Sequence, residues 1–306
     1  MNLIPLNQTK LYGLNKQFNE LTRLYDENKL PNKILLSGLK GIGKSTLAYH
    51  LINYVLSKKE DNPYDLKNLK INIENRSYKL IQNGTNPNFY LIDVNFNKKN
   101  IDINQIRTLI NDLNKSSFNS KPRFVLIDNI EYLNLSSINA LLKILEEPNE
   151  NIHFILIHNN KKIISTLLSR CLNFKISLTN KEINEITYNL FNENINQLIN
   201  HDLLDYYYTP GKIYALLKLS TEKEINLMEI DIKKFLSLLI NESLFKQDHE
   251  IKSLLYDMTE FFLLKKVSVI YSDISTYFLK RIEETKKFNL DDESLFLEIN
   301  SKLLNE

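Results

Sequence analysis

The chain has 306 residues, 43% of them hydrophobic and 25% charged, and a formal net charge of +2. That is an ordinary globular balance in a chain too long for one small core, so two or three domains are expected. The near-neutral charge excludes a chain-wide electrostatic footprint for nucleic acid. A cysteine count of 1 excludes a disulfide framework and a cysteine-based zinc site within the chain, and no apolar run reaches membrane-span length; a cytoplasmic location and no membrane partner are expected.

In chain order, residues up to Leu30 read as a helix after a turn at Leu11-Tyr12-Gly13, with Phe18, Leu21, Leu24 and Tyr25 on one face. Pro31-Asn32 breaks it, and Ile34-Leu35-Leu36 reads as a short buried strand. Then Gly38-Leu39-Lys40-Gly41-Ile42-Gly43-Lys44-Ser45-Thr46 matches the P-loop pattern without a mismatch. Leu47, Leu51, Ile52 and Val55 fall on one face of the helix that follows. A loop between a strand and a helix start directs successive backbone N–H groups and the positive end of the helix dipole at an anion. The stretch Gly38, Gly41, Ile42, Gly43, Lys44, Ser45 and Thr46 is therefore the candidate ATP cradle. Lys44 is expected to reach the β- and γ-phosphates, Ser45 to help hold Mg²⁺, and Thr46 to sit near the α-phosphate.

A polar loop over 58–63 precedes an ambiguous, partly helical stretch from Tyr64 to Gln82 and a turn over 84–88. Phe89 to Val94 reads as a buried strand and Ile101 to Leu113 as an amphipathic helix with Ile103, Ile106, Ile110 and Leu113 inward. Phe124 to Ile127 is an apolar run ending in Asp128. The next helix starts at a cap, Asn134 or Ser136, buries Ile138, Leu141, Leu142 and Leu145, and stops at Pro148. Phe154 to Ile157 is a further strand, Leu167-Leu168 a helical turn, and Asn173 to Ile176 a last strand. Short apolar strands alternating with helices argue an α/β fold with a parallel sheet covered on both faces. From Thr179 onward no strand is evident, and the helical pattern lengthens after 222. The expected domains are 1–178, α/β; 179–222, a small helical segment; and 223–306, all helical.

Asp128 at a strand tip has the Walker B arrangement, in which a carboxylate beside the P-loop holds Mg²⁺. The residue after it is Asn129, and an amide is a poor general base. If the strand continued, Glu131 would lie ~7 Å further on at ~3.3 Å per residue, too far to act on the same water without a local rearrangement. Binding is expected and hydrolysis by this chain alone is not.

Three further stretches carry a specific resemblance. Asn139-Ala140-Leu141-Leu142-Lys143-Ile144-Leu145-Glu146-Glu147-Pro148 resembles the helix signature of clamp-loader AAA+ subunits. Ser169-Arg170-Cys171 resembles their SRC motif, and Gly84-Thr85-Asn86-Pro87-Asn88 their His-Pro-Asp turn with Asn in place of both His and Asp. The similarity covers at least residues 10 to 178, and the two helical segments match the family's lid and collar in size and class. Within the family the chain is most like the δ′ subunits of bacterial DNA polymerase III. The motor subunits' zinc cysteines are missing, Asn129 replaces an acid, and Gly211 falls where the lid's sensor-2 arginine is expected.

The resemblance implies a hetero-oligomeric ring member in DNA replication, with motor and clamp-opening subunits, a sliding clamp and primer-template DNA as partners; no zinc is expected, because the cysteines are missing. It implies that Arg170 projects into a neighbouring subunit's ATP site; the alternative for Arg170 is an ion pair to a nearby acid. It places sensor 1 at Asn159 or His158, and Asn159 is preferred. Cys171 reads as core packing, and Lys143 is a candidate DNA contact. Phe235/Leu238/Leu239 and Leu254/Leu255/Phe261/Phe262 are candidate collar faces. The competing readings are an active motor (γ/τ-like) ATPase subunit, another AAA+ remodeller, and a P-loop kinase. The last explains neither Ser169-Arg170-Cys171 nor the helical C-terminal half.

Overall fold

The architecture was analysed in a computed structural model, which describes residues 4–304 except 96, 97, 99, 116–118, 147–150, 161–164, 207, 248, 268–271 and 289. The chain forms two compact units, Met1–Ile186 with Thr209–Gly211, and Thr187–Tyr208 with Lys212–Glu306. Glu147 and Pro148, with which the helix signature ends, lie outside the described residues.

The first unit is built on five parallel strands: β1 (Lys33–Ser37), β2 (Phe89–Ile92), β3 (Arg123–Ile127), β4 (Ile152–His158) and β5 (Leu172–Lys175). Their order is β2-β3-β4-β1-β5. α1 (Asn15–Asp26) precedes β1. Parallel neighbours require crossovers, and helices supply them: α2 (Lys44–Ser57), α3 (Arg76–Gln82), α4 (Ile103–Leu113), α5 (Leu135–Glu146) and α6 (Ser165–Leu168), before α7 (Asn180–Phe191). β3 and β4 are buried along their whole length, as strands covered on both faces must be. Leu35, Val125, Ile127, Phe154 and Leu156 pack with Ile106 and Leu109 of α4 and Leu141 and Leu145 of α5 into one core.

Local signals set the helix starts. Asp102 closes a capping box with Gln105, so α4 begins two residues later than its apolar pattern suggests. The carboxamide oxygen of Asn134 accepts from the Ser137 N–H at 2.8 Å, which makes Asn134 the cap of α5. Leu47, Leu51, Ile52 and Val55 are buried, and so is every other residue from Leu47 to Ser57, because α2 is packed between the sheet, α1 and α3.

Behind the start of α2 lies a cluster of Phe18, His50, Tyr54 and Tyr64. His50 is fully buried, with Nε2 3.1 Å from the Gln8 carbonyl and Nδ1 2.8 Å from the Tyr64 hydroxyl. The carbonyl can only accept, so Nε2 donates to it and Nδ1 accepts from Tyr64, which holds the ring neutral. Burial pushes its pKa down to about 4. The unfolded imidazole titrates near ~6.5. This contribution to stability is therefore full above ~6.5 and is lost as pH falls toward 4, by up to about 3 kcal/mol. Urea midpoints measured from pH 7 to pH 4.5 are expected to fall more steeply for the wild type than for His50→Gln. Parallel pH profiles would rule the assignment out.

The second unit is helical throughout its described residues. It holds the end of α7, then α8 (His201–Leu204), α9 (Pro210–Glu222, from Lys212 on), α10 (Ile232–Asn241), α11 (His249–Phe262), α12 (Ser272–Phe288) and α13 (Asp292–Ile299). Phe235, Leu239, Leu254, Leu255 and Phe262 are buried, so most of the two candidate collar faces is internal core, the alternative that the sequence also allows. The large apolar side chains left exposed are others, among them Tyr277, Phe288 and Leu297.

Candidate nucleotide site

The P-loop leaves β1 at Ser37 and enters α2 at Lys44, and its path is fixed by backbone contacts. The Gly38 N–H donates to the His158 carbonyl at the end of β4. Gly43 caps α2 with φ 93°, a left-handed angle natural only to glycine, and no side chain closes the cap. The first N–H groups of α2 are thereby presented to a ligand rather than to a neighbouring side chain.

Lys44 is buried, and its Nζ donates to the carbonyls of Gly38 at 2.8 Å and Leu39 at 2.7 Å. Burial pushes its pKa down to about 8, against the pull of Asp128 and Glu131. The Ser45 hydroxyl donates to Asp128 Oδ2 at 2.6 Å, so the two Mg²⁺ candidates meet at one point beside the loop. Burial raises the Asp128 pKa to about 6, opposed by the Ser45 hydrogen bond and reinforced by Asp93. A half-buried carboxylate and a hydroxyl next to a helix N-terminus with open N–H groups are the oxygen donors that a Mg²⁺–phosphate pair takes up.

Beyond Asp128 the chain does not continue as a strand. β3 stops at Ile127, and Asn129 turns the chain at φ 55° into a single 3₁₀ turn over Ile130–Tyr132. Asparagine is among the few residues that take this left-handed angle readily. The turn brings Glu131 back toward the tip of β4, so the extended-strand distance anticipated for it does not apply. Its Oε1 accepts from Asn159 Nδ2 at 2.9 Å. The same Nδ2 donates to Asn129 Oδ1 at 2.9 Å, and Asn129 Nδ2 donates to Asp93 Oδ1 at 2.8 Å. Asp93 was not singled out from sequence; the available signal was an acid just past the end of an apolar strand. His158 is the last residue of β4 and is buried, whereas Asn159 reaches the cluster.

The segment Thr209–Gly211 belongs to the same unit. The Thr209 hydroxyl donates to the Lys40 carbonyl at 2.8 Å and the Gly211 N–H to the Gly41 carbonyl at 2.9 Å. A Cβ on Gly211 would stand 2.8 Å from Gly41 Cα. In the second unit Lys212 donates to Asp257 at 2.6 Å and to the Tyr206 hydroxyl at 2.8 Å.

Arg170 lies after α6. One of its terminal nitrogens is 2.5 Å from Glu146 Oε1, at the end of α5, and the other donates to the Thr166 carbonyl at 2.9 Å. Cys171 is partly buried against the core, and burial raises its pKa to about 11, which removes it as a nucleophile at neutral pH.

The profile of the family described as DNA polymerase III, delta subunit, matches residues 13–180, just over half the chain. The chain belongs to this DNA polymerase III family. Its relatives include the DNA polymerase III subunit delta′ of Buchnera aphidicola subsp. Baizongia pistaciae, 32% identical over 203 residues, or 64% of this chain and 56% of the relative. The DNA polymerase III subunit gamma of Buchnera aphidicola subsp. Schizaphis graminum is 29% identical over 58% of this chain and 47% of its own. The chain thus spans about half the length of the curated relatives it matches. A DNA polymerase III gamma subunit-related protein of Thermotoga maritima shares the fold, with a TM-score of 0.53 over 93% of this chain and 97% of that one at 18% identity. Among the described residues no helix is long and apolar enough to cross a membrane.

Proposed function

We propose that this chain is a δ′-like subunit of a DNA polymerase III clamp loader, a cytoplasmic ring member that helps load the sliding clamp onto primed DNA. In this reading residues 1–178 are the AAA+ nucleotide-binding domain, 179–222 the lid and 223–306 the collar. Family membership over residues 13–180 supports the complex. The observation that carries the assignment to a non-motor position is Asn129. No carboxylate follows Asp128, and the amide that stands there is taken up by Asp93 and Asn159.

Gly38, Gly41, Ile42, Gly43, Lys44 and Thr46 would hold the phosphates of ATP through the loop and helix start. Ser45 and Asp128 would hold Mg²⁺, and Asn159 would lie at the γ-phosphate end. The metal would draw the phosphate oxygens onto the loop and neutralise their charge. The chain's own ATPase is weak or absent, and Arg170 serves in trans, completing the ATP site of an adjacent motor subunit. The partners are motor and clamp-opening subunits, the clamp, and primer-template DNA through the assembly.

A motor reading would have to use Glu131, the carboxylate that accepts from Asn159 among the described residues. The test is steady-state ATP turnover. The isolated chain is expected to turn over ATP at no more than a background rate, and to support DNA-stimulated turnover when mixed with motor and clamp-opening subunits. Sustained turnover by the isolated chain, abolished by Lys44→Ala, would establish the motor reading instead.

A further inference from the structure

Four polar side chains from three strand ends form one chain of hydrogen bonds: Asp93 after β2, Asn129 and Glu131 after β3, and Asn159 after β4. Its polarity is set by chemistry. A carboxylate accepts and does not donate, so Asp93 fixes the Asn129 amide with Nδ2 toward it and Oδ1 toward Asn159. Glu131 fixes the Asn159 amide in the same way from the other end. The two hydrogens of Asn159 Nδ2 therefore both have acceptors within the protein, one on Asn129 Oδ1 and one on Glu131 Oε1, each at 2.9 Å. The Asn159 backbone N–H also faces Glu131 Oε2, at 3.4 Å.

We infer that Glu131 is a specificity-determining residue that makes this nucleotide site insensitive to the γ-phosphate, by holding the amide of Asn159 that would otherwise read it. The inference rests on the proposed placement of ATP over Lys44 with Asn159 at its γ end. The asparagine is present and correctly placed, but its donors are satisfied before any ligand arrives. A third phosphate would have to break a charge-assisted hydrogen bond to gain an equivalent one, with no net gain. Glu131 is thus not a displaced general base. Its role is to make the di- and triphosphate states look alike to the strand ends.

The experiment is calorimetric titration of the full chain with Mg²⁺-ATP and Mg²⁺-ADP, in the wild type, Glu131→Ala, Asn159→Ala and the double variant. Glu131→Ala is expected to raise the preference for ATP over ADP about tenfold, the scale of one hydrogen bond to a charged group. In the Asn159→Ala background the same substitution is expected to change the preference less than about threefold. Glu131→Gln keeps an accepting oxygen at the same reach, so it is expected to stay within about threefold of the wild type; it also shows whether the site tolerates substitution without unfolding. An unchanged ratio in Glu131→Ala overturns the inference while leaving nucleotide binding intact. So does an equal rise in both backgrounds, which would trace to removal of negative charge alone. Failure of every variant to bind either nucleotide overturns the cradle itself, and the inference with it.

Discussion

Arg170→Ala is expected to lower the DNA-stimulated ATPase of the reconstituted clamp loader roughly tenfold, with assembly unchanged. An arginine finger stabilises charge developing on the transferred phosphoryl group and is worth ~10³–10⁵ in rate at its own site. The fall in the total rate is smaller than that, because other sites of a ring keep their own fingers, and it reaches tenfold because sites that fire in one coupled cycle are slowed together. In the isolated chain Arg170 is paired with Glu146, and the two side chains are 32% and 52% exposed. Pairs this open contribute ~0–1 kcal/mol, so releasing the guanidinium to a neighbour costs at most about a fivefold population factor. Glu146→Gln is accordingly expected to leave the rate within about twofold of the wild type. Equal losses for Arg170→Ala and Glu146→Gln would show that Arg170 acts by holding α5 and the segment after α6 together. No loss for either would remove the trans role.

Phe154→Ala is expected to destabilise the first unit by ~3–5 kcal/mol, the range for deleting a buried aromatic ring. Phe154 lies on β4, the middle strand of five, with Val125 on one side and Lys33 on the other, and its side chain is fully buried. Strand neighbours on both sides prevent the backbone from collapsing into the cavity, which puts the cost toward the upper end. Urea unfolding followed by circular dichroism measures it, and a loss under ~1 kcal/mol would mean that the sheet repacks around the gap.

The sequence made the P-loop and the sheet legible because both are local signals. A phosphate loop is specified by nine contiguous residues, and a parallel strand by a continuous apolar run such as Phe124 to Ile127. The helical C-terminal half was legible for the same reason, with ends displaced by a few residues. The Asp93–Asn129–Asn159–Glu131 cluster was not legible, because the strand order joins residues up to 66 positions apart and no spacing rule links them. The distance to Glu131 depended on whether the strand ran on past Asp128, which no local signal decides, and Asn129 ends the extension with one left-handed residue. For α2, periodicity reports only the residues that are apolar. It cannot register that Asn53 and Ser57 are buried with partners of their own, Asn53 in reciprocal hydrogen bonds with Asn75 and Ser57 accepting from the Tyr64 N–H.

The seating of Gly211 on Gly41 bears on how this chain can change over evolutionary time. Any residue with a β-carbon at 211 meets main-chain atoms of the phosphate loop at 2.8 Å, and main chain cannot swing aside as a flexible side-chain tip can. An arginine there would first require the Thr209 and Gly211 hydrogen bonds to be given up and the backbone to retreat. One codon change at 211 is therefore not enough to set a longer side chain beside this loop, and sterics hold the position to glycine.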